Sequence, residues 1–311
     1  MKIMYIGTGG SLSIEPLKGI INAGFDVCAI AGGNTRSSHK TFAGIPLIGA
    51  FNESTVSLAD ANHITFIPLG SDRAKNIHEV SICRPDLIIV SCYGKRLAAE
   101  IIAIPRLGCY NIHPSLLPAY RGPDPLFWQL RAGEKMMGVS IHRVTEVFDS
   151  GDLLIQGPLD LSDGLSLEQA NKCFANLAKD LLLEVLADFE AYQRCETAQV
   201  NNQSKMNLCE ILGNKVWGNE IQPSYQSFAQ RQDFDVSVSW TAQRMFNFIS
   251  AYWEAGRCFS CTIKNEVFQL GKALSFEPSG KLTVPYDIDN FKITLACASG
   301  FIQCQLVCDH L

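Results

Sequence analysis

The chain opens on an apolar run over residues 1–7 that ends in glycines, a pattern that predicts a first strand. Residues 12–23 carry apolar positions at helical spacing, Gly24 caps them, and residues 25–30 form a second apolar run. Strand, helix, strand predicts a parallel unit with a right-handed crossover. Residues 31–60 read as loop, 64–69 as a third short strand and 74–82 as a helix. Residues 86–91 are continuously apolar, as in a strand buried on both faces. Residues 98–104 predict a short helix, and 109–113, 139–144 and 153–156 predict strands. A long helical pattern over 165–193 repeats apolar residues at Ala170, Phe174, Leu177, Leu181, Leu182 and Val185.

The pattern then changes. Residues 199–230 are rich in Asn, Gln and Ser, include Pro223, and read as a linker. Beyond Phe234 a helix over 240–253 precedes five short apolar runs at 259–263, 266–270, 281–284, 291–295 and 301–308. Closely spaced short strands suggest a small barrel. The expected organisation is a domain over 1–198, a linker over 199–230 and a β domain over 231–311.

A chain of 311 residues, 47% hydrophobic and 18% charged, can bury two ordinary cores. The formal charge of -5 argues against a nucleic-acid partner, which a basic surface would favour, while leaving a local basic patch open. No run reaches the roughly 20 apolar residues of a membrane span. The first strand lacks the shape of a secretory signal, so the twelve cysteines read as reduced thiols of a cytoplasmic protein. Cys258, Cys261, Cys304 and Cys308 could hold zinc or form a redox pair, but Ile302, Cys304, Leu306 and Cys308 alternate as the inner face of a strand does. No metal is expected.

Candidate chemistry concentrates in residues 107–152. Asn111 and His113 sit two apart at the end of a strand, so the amide and the imidazole project from one face. Pro114 and Pro118 interrupt regular structure, Arg121-Gly122-Pro123 makes a turn, and Asp149-Ser150-Gly151-Asp152 makes another. An amide, an imidazole and a carboxylate at strand ends and turns suit acyl transfer. His142 is expected to be structural or substrate-lining, and nothing visible activates the thiols of Cys92 or Cys109. The Gly7-Thr8-Gly9-Gly10 turn fails the dinucleotide spacing, because Leu12 stands where the third glycine belongs. An anion at that helix N-terminus and a plain glycine turn both remain open. Residues 92–97 follow the continuously apolar strand at its carboxyl end, where open α/β sheets bind ligands.

The motif Asn-Ile-His-Pro-Ser-Leu-Leu-Pro-x-Tyr-Arg-Gly from Asn111, followed by Gly138-Val-Ser-Ile-His-Arg-Val and Asp149-Ser-Gly-Asp152, resembles the formyltransferases that use 10-formyltetrahydrofolate. The resemblance runs from Met1 to about Leu186 and returns more weakly over 240–251. It implies a Rossmann-like α/β catalytic domain with a small OB-like β-barrel, and formyl transfer from 10-formyltetrahydrofolate, as co-substrate, to a primary amine. It implies that His113 moves the proton, that Asn111 donates to the oxyanion, a contribution of about 3 kcal/mol, and that Asp149 orients the imidazole. It further implies folate binding by Arg96, Leu97, Ser115, Leu116 and Asp149, and acceptor binding by Gly9, Gly10, Ser11 and Arg121.

Two departures bear on the acceptor. The loop after the second strand is short, with only Arg36, His39 and Lys40 where tRNA-specific members carry a longer basic insertion. Tyr252-Trp253-Glu254-Ala255-Gly256 replaces the usual Pro-Trp-Pro-Gly. Both favour a small acceptor, such as a nucleotide-linked amino sugar. Methionyl-tRNA is the alternative and would need Arg36, Lys40, Lys264, Lys272 and Lys281 to form a basic groove. A formyltetrahydrofolate hydrolase and a non-catalytic folate or nucleotide-binding module are further readings.

Overall fold

A computed structural model describes residues 1–33, 41–42, 45–46, 53–199, 222–254 and 256–307. Arg36, His39, Lys40 and Cys308 lie outside the described residues, as does most of the linker.

The first sheet has seven strands, in the order β5-β2-β1-β6-β7-β8-β9. They are β1 (Lys2–Gly7), β2 (Asp26–Gly32), β5 (Phe66–Pro68), β6 (Leu87–Ser91), β7 (Cys109–His113), β8 (Met137–Arg143) and β9 (Leu153–Leu159). A two-residue pair, β3 (Thr41–Phe42) with β4 (Ile45–Pro46), stands apart. The strands from β5 to β7 run parallel, and β8 and β9 close the sheet in antiparallel pairing. Every residue of β6 is buried, as an apolar strand covered by helices on both faces must be. On one side α1 (Ser11–Asn22) packs along α6 (Leu167–Ala187). The other side is covered by α3 (Arg73–Cys83), whose Val80 is buried with Ile88 and Val90 of β6.

Several elements depart from the sequence expectation. Residues 31–60 contain α2 (Thr55–Ala61), which starts at a reciprocal Ser54–Ser57 capping box. A helix, α5 (Pro125–Ala132), follows the Arg121 turn with proline at its first position, where fixed φ is already helical. The long pattern over 165–193 is two helices, because Asp188 leaves helical geometry and its side chain caps α7 (Phe189–Arg194). A short helix, α4 (Ala99–Ile102), lies between β6 and β7.

The C-terminal sheet has five antiparallel strands in the order β10-β11-β14-β13-β12. These are β10 (Phe259–Ile263), β11 (Glu266–Glu277), β12 (Tyr286–Asp289), β13 (Lys292–Ala296) and β14 (Phe301–Leu306). Residues 281–284 are not a strand, and the pairing begins at Tyr286, opposite Leu295. β11 runs well past Leu270, its register shifting near Ala273 so that one long strand can bend. The helix α8 (Ala242–Trp253) lies across β11 and β14.

One aromatic cluster joins the two sheets. Phe127 of α5 meets Phe248 and Tyr252 of α8 and Phe234 of a single 3-10 turn (Arg231–Phe234), with ring centroids 5.1–5.3 Å apart. Beside it the Arg244 guanidinium stacks on Trp240 at 3.9 Å while its Nε donates to the Arg131 carbonyl. Buried residues of both parts thus meet in one core, while a second cluster lies on the α3 side of the first sheet.

Candidate active site

The carboxyl edge of the parallel strands collects the sequence candidates. Gly7 pairs beside Ser91 and Ser91 beside Ile112, so the glycine turn, the loop after β6 and the end of β7 are neighbours. β1 lies between β2 and β6; the chain runs from β1 outward to β2 and β5 and then crosses back to β6 on the other side, a reversal that opens a crevice at this edge. Gly10 adopts φ 92 at the start of α1, a conformation that favours glycine, and Thr8 Oγ1 donates to the Cys92 carbonyl at 2.8 Å. Gly9, Gly10 and Ser11 are partly exposed there.

β7 and β8 determine which side chains meet. Their antiparallel register sets Asn111 opposite His142 and His113 opposite Ser140. Asp149 reaches the same point from its turn, where it adopts φ 51. Its Oδ1 lies 3.6 Å from His113 Nδ1, 3.4 Å from His142 Nε2 and 3.3 Å from Asn111 Nδ2. Its Oδ2 accepts the Gly122 amide at 2.9 Å. The structure thus brings Asn111, His113 and Asp149 together and adds His142, which sequence reading had left undecided. Pairing opposite Asn111 was the signal for it, and that pairing requires the register.

The hydrogens follow from the partners. His113 Nε2 is 2.9 Å from the Tyr120 carbonyl, which only accepts, so Nε2 carries the hydrogen and Nδ1 is the basic atom facing Asp149. His142 Nδ1 likewise donates to the Arg143 carbonyl at 2.9 Å, and its Nε2 faces both Asn111 Nδ2 at 3.2 Å and Asp149 Oδ1 at 3.4 Å. Both histidines are almost fully buried. Burial holds His113 below the ordinary imidazole value, with His142 and Arg121 acting in the same direction. Asp149 and the Tyr120 carbonyl pull the other way without reversing it. Burial also opposes the charge on Asp149, but His113, His142 and the Gly122 amide outweigh it and hold the carboxyl below the usual range. The two groups are therefore coupled: a proton on His113 favours the carboxylate, and the carboxylate favours a proton on His113.

The folate candidates fall into two groups. Arg96 stacks on Phe148 at 5.1 Å, tying the loop after β6 to the Asp149 turn, and Leu97 beside it is half-buried. Ser115 and Leu116 are buried within the loop after β7. Ser115 Oγ donates to the Ala119 carbonyl at 2.7 Å, and Leu116 packs under Gly138. Arg121 donates from Nε and Nη2 to Oε1 of Gln199, at 3.0 and 2.5 Å. Gln199 carried no sequence signal, being 50 residues from Asp149 and in a stretch read as linker.

Cys109 is buried, and burial pushes its thiol far up, away from the thiolate form. Among the described residues no group of three or more His, Cys, Asp or Glu could hold a metal ion. Cys261 and Cys304 are buried on the inner face of the second sheet, while Cys258 is exposed. Among the described residues no helix is long and apolar enough to cross a membrane.

Comparisons bear on this geometry. The model of the family described as "Formyl transferase" matches residues 33–186. The methionyl-tRNA formyltransferase of Thermotoga maritima is 28% identical over 81% of this chain and 72% of its own length. That of Carboxydothermus hydrogenoformans is 33% identical over 60% of this chain and 58% of its own length. Among solved structures, an N-formyltransferase from Helicobacter canadensis, in complex with folinic acid and dTDP-3-aminofucose, superposes with a TM-score of 0.62 at 16% identity. The superposition covers 99% of this chain and 100% of that one. A sugar 3N-formyltransferase solved in the presence of dTDP and 5-N-formyl-THF gives 0.59 at 16% identity, covering 100% and 99%. These superpositions establish that both sheets belong to one known architecture.

Proposed function

The chain belongs to the 10-formyltetrahydrofolate-dependent formyltransferases, and from that premise we propose that it formylates the primary amine of a small acceptor, a nucleotide-linked amino sugar, at Asn111, His113 and Asp149. The observation that carries the site assignment is the convergence of Asn111 and His113 on one carboxylate oxygen, Asp149 Oδ1 lying 3.3 Å from Asn111 Nδ2 and 3.6 Å from His113 Nδ1, at the carboxyl edge of the sheet.

The amine nitrogen attacks the formyl carbon on N10 of the folate, forming a C–N bond and a tetrahedral oxyanion. Collapse breaks the bond from carbon to N10, so the products are the formamide and tetrahydrofolate. The attacking nitrogen loses one proton and N10 gains one. His113 Nδ1 is the unprotonated atom, so it takes the first proton, and the imidazolium so formed faces Asp149. The same atom then returns the proton to N10, leaving His113 neutral. Asn111 supplies the amide hydrogen for the oxyanion by giving up its long 3.3 Å contact to Asp149. Arg96 with Phe148 forms a flat cation–aromatic wall suited to the pterin of the folate. The backbone of Gly9, Gly10 and Ser11 at the start of α1 suits the acceptor.

A small acceptor is supported by the net charge of -5 and by full-length likeness to two sugar N-formyltransferases. Methionyl-tRNA is the second reading, supported by the names of the curated relatives. Exposed Lys264, Lys272 and Lys281 would have to serve it, and Glu266, Asp287 and Asp289 share their sheet. Tetrahydrofolate release with a panel of nucleotide-linked amino sugars and with charged methionyl-tRNA decides between them. Turnover with a sugar nucleotide and not with the tRNA is expected; turnover with the tRNA alone overturns the small-acceptor reading.

A further inference from the structure

We propose that Gln199 is a positioning residue of this site, one whose amide braces the Asp149 turn against the Arg121 loop and so sets where the carboxylate sits relative to His113. The inference rests on the formyl-transfer reading for its consequence in turnover, and on geometry alone for the brace.

Gln199 is buried, and both ends of its amide are in use. Nε2 donates to the carbonyls of Asp149 at 2.9 Å and Gly151 at 2.8 Å. Oε1 takes the two guanidinium contacts from Arg121. Arg121 adjoins Gly122, whose amide holds Asp149 Oδ2. One side chain therefore fixes both the turn that carries the carboxylate and the loop that anchors its second oxygen. The turn needs such support, because a non-glycine residue at φ 51 sits in a strained backbone region that its surroundings must hold.

The Arg121 loop is also held from its other side. The Tyr120 amide donates to Ser224 Oγ at 2.8 Å, Arg121 N to the Ser224 carbonyl at 3.0 Å, and Gln226 N to the Arg121 carbonyl at 2.9 Å. Gly122 sits so close to Gln226 that a Cβ there would lie 2.1 Å from the Gln226 carbonyl oxygen. With its far side fixed, this loop gives Gln199 a firm abutment. Losing Gln199 would leave two carbonyls of the turn without a donor, and the turn would be free to rotate Asp149 away from His113.

The test uses Gln199→Met, close to glutamine in shape but without hydrogen-bonding amide atoms, and Gln199→Asn, which keeps the amide but is one methylene short. His113 is followed by NMR titration in the full-length wild type, in both variants and in Asp149→Asn. The groups that bear on His113 are Asp149, His142, Arg121 and the Tyr120 carbonyl, and only the first and third are tied to Gln199. Withdrawing Asp149 removes the attraction that raises His113, so His113 in Gln199→Met should titrate at lower pH, in the direction of Asp149→Asn. Gln199→Asn should fall between it and the wild type. The kcat should drop roughly tenfold or more with KM for the folate little changed, as expected for misplaced catalytic geometry.

If Gln199→Met does not fold, the intermediate displacement in Gln199→Asn decides. A folded variant whose His113 titrates as in the wild type, with activity lost only in proportion to the unfolded fraction, overturns the brace. The titration needs no turnover. A displaced His113 in a protein that transfers no formyl group would therefore sink the formyl-transfer reading and leave the brace standing.

Discussion

His113 Nδ1 and Asp149 Oδ1 lie 3.6 Å apart, both buried, with burial holding the imidazole below its ordinary value and a proton on His113, with His142 and the Gly122 amide, holding the carboxyl below the usual range. That separation is too long for a direct hydrogen bond and short enough for strong Coulomb coupling where solvent does not screen it. In the proposed mechanism the pair is a base with the counter-charge for its proton already beside it.

The pH dependence follows. The base must be unprotonated, and His113 titrates below its ordinary 6.5, so kcat/KM should be flat around pH 7 and fall only on the acid side of 6.5. Asp149→Asn removes the chief influence that raises His113 and should move this acid limb to still lower pH while lowering the plateau by about 10²-fold or more. A limb that stays in place would show that Asp149 does not act through His113.

Asp124 predicts a stability effect of opposite sign to the usual carboxylate. It is 4% exposed at the start of α5, and burial pushes its carboxyl up to about 7, only partly offset by the Phe127 amide. A raised folded value means stability fully present below the unfolded carboxylate value near 3.8 and lost as pH rises through 7. The loss is on the order of 4 kcal/mol at 1.36 kcal/mol per pKa unit. Asp124→Asn should therefore melt above the wild type at pH 8, with an advantage that shrinks to less than half at pH 5. Equal pH dependence of the two proteins would contradict this account of the site.

The aromatic cluster should make the two sheets unfold together. Phe127→Ala removes a ring that touches three others across the joint and should cost about 3–5 kcal/mol. Urea unfolding followed by far-UV circular dichroism should show one transition in the wild type. Two separated transitions there would mean that the joint does not couple the parts.

Gly122→Ala tests the anchor of the second carboxylate oxygen. The residue has φ 111, and its new Cβ would collide with the Gln226 carbonyl, so the loop must move and the amide must leave Asp149. Activity should fall by about 10²-fold, since small displacements at a reacting centre are costly. A smaller loss, with thermal stability intact, would place the anchor elsewhere.

Much of this was legible in the chain. Residues 86–91 announced a central strand by unbroken hydrophobicity, and they are β6. Asn111 and His113 announced themselves by period-two spacing at a strand end, with Asp149 marked by its turn residues. What was hidden was non-local. His142 joins the site through antiparallel register with β7, and Gln199 through contacts made 48 to 78 residues away. The α6–α7 break at Asp188 and the start of α5 at Pro125 depended on capping and turn geometry, which a periodicity count passes over. Ser115, expected at the folate by its place in the motif, donates its hydroxyl to the Ala119 carbonyl, a contact within the loop that the motif did not announce.

The central claim is that His113 carries the proton during formyl transfer. It is tested most directly by His113→Ala, comparing acceptor-dependent tetrahydrofolate release from 10-formyltetrahydrofolate with the affinity for the folate. Release should fall by about 10²–10⁴-fold with folate binding unchanged. Release at the wild-type rate, or a loss fully explained by lost folate binding, would contradict it.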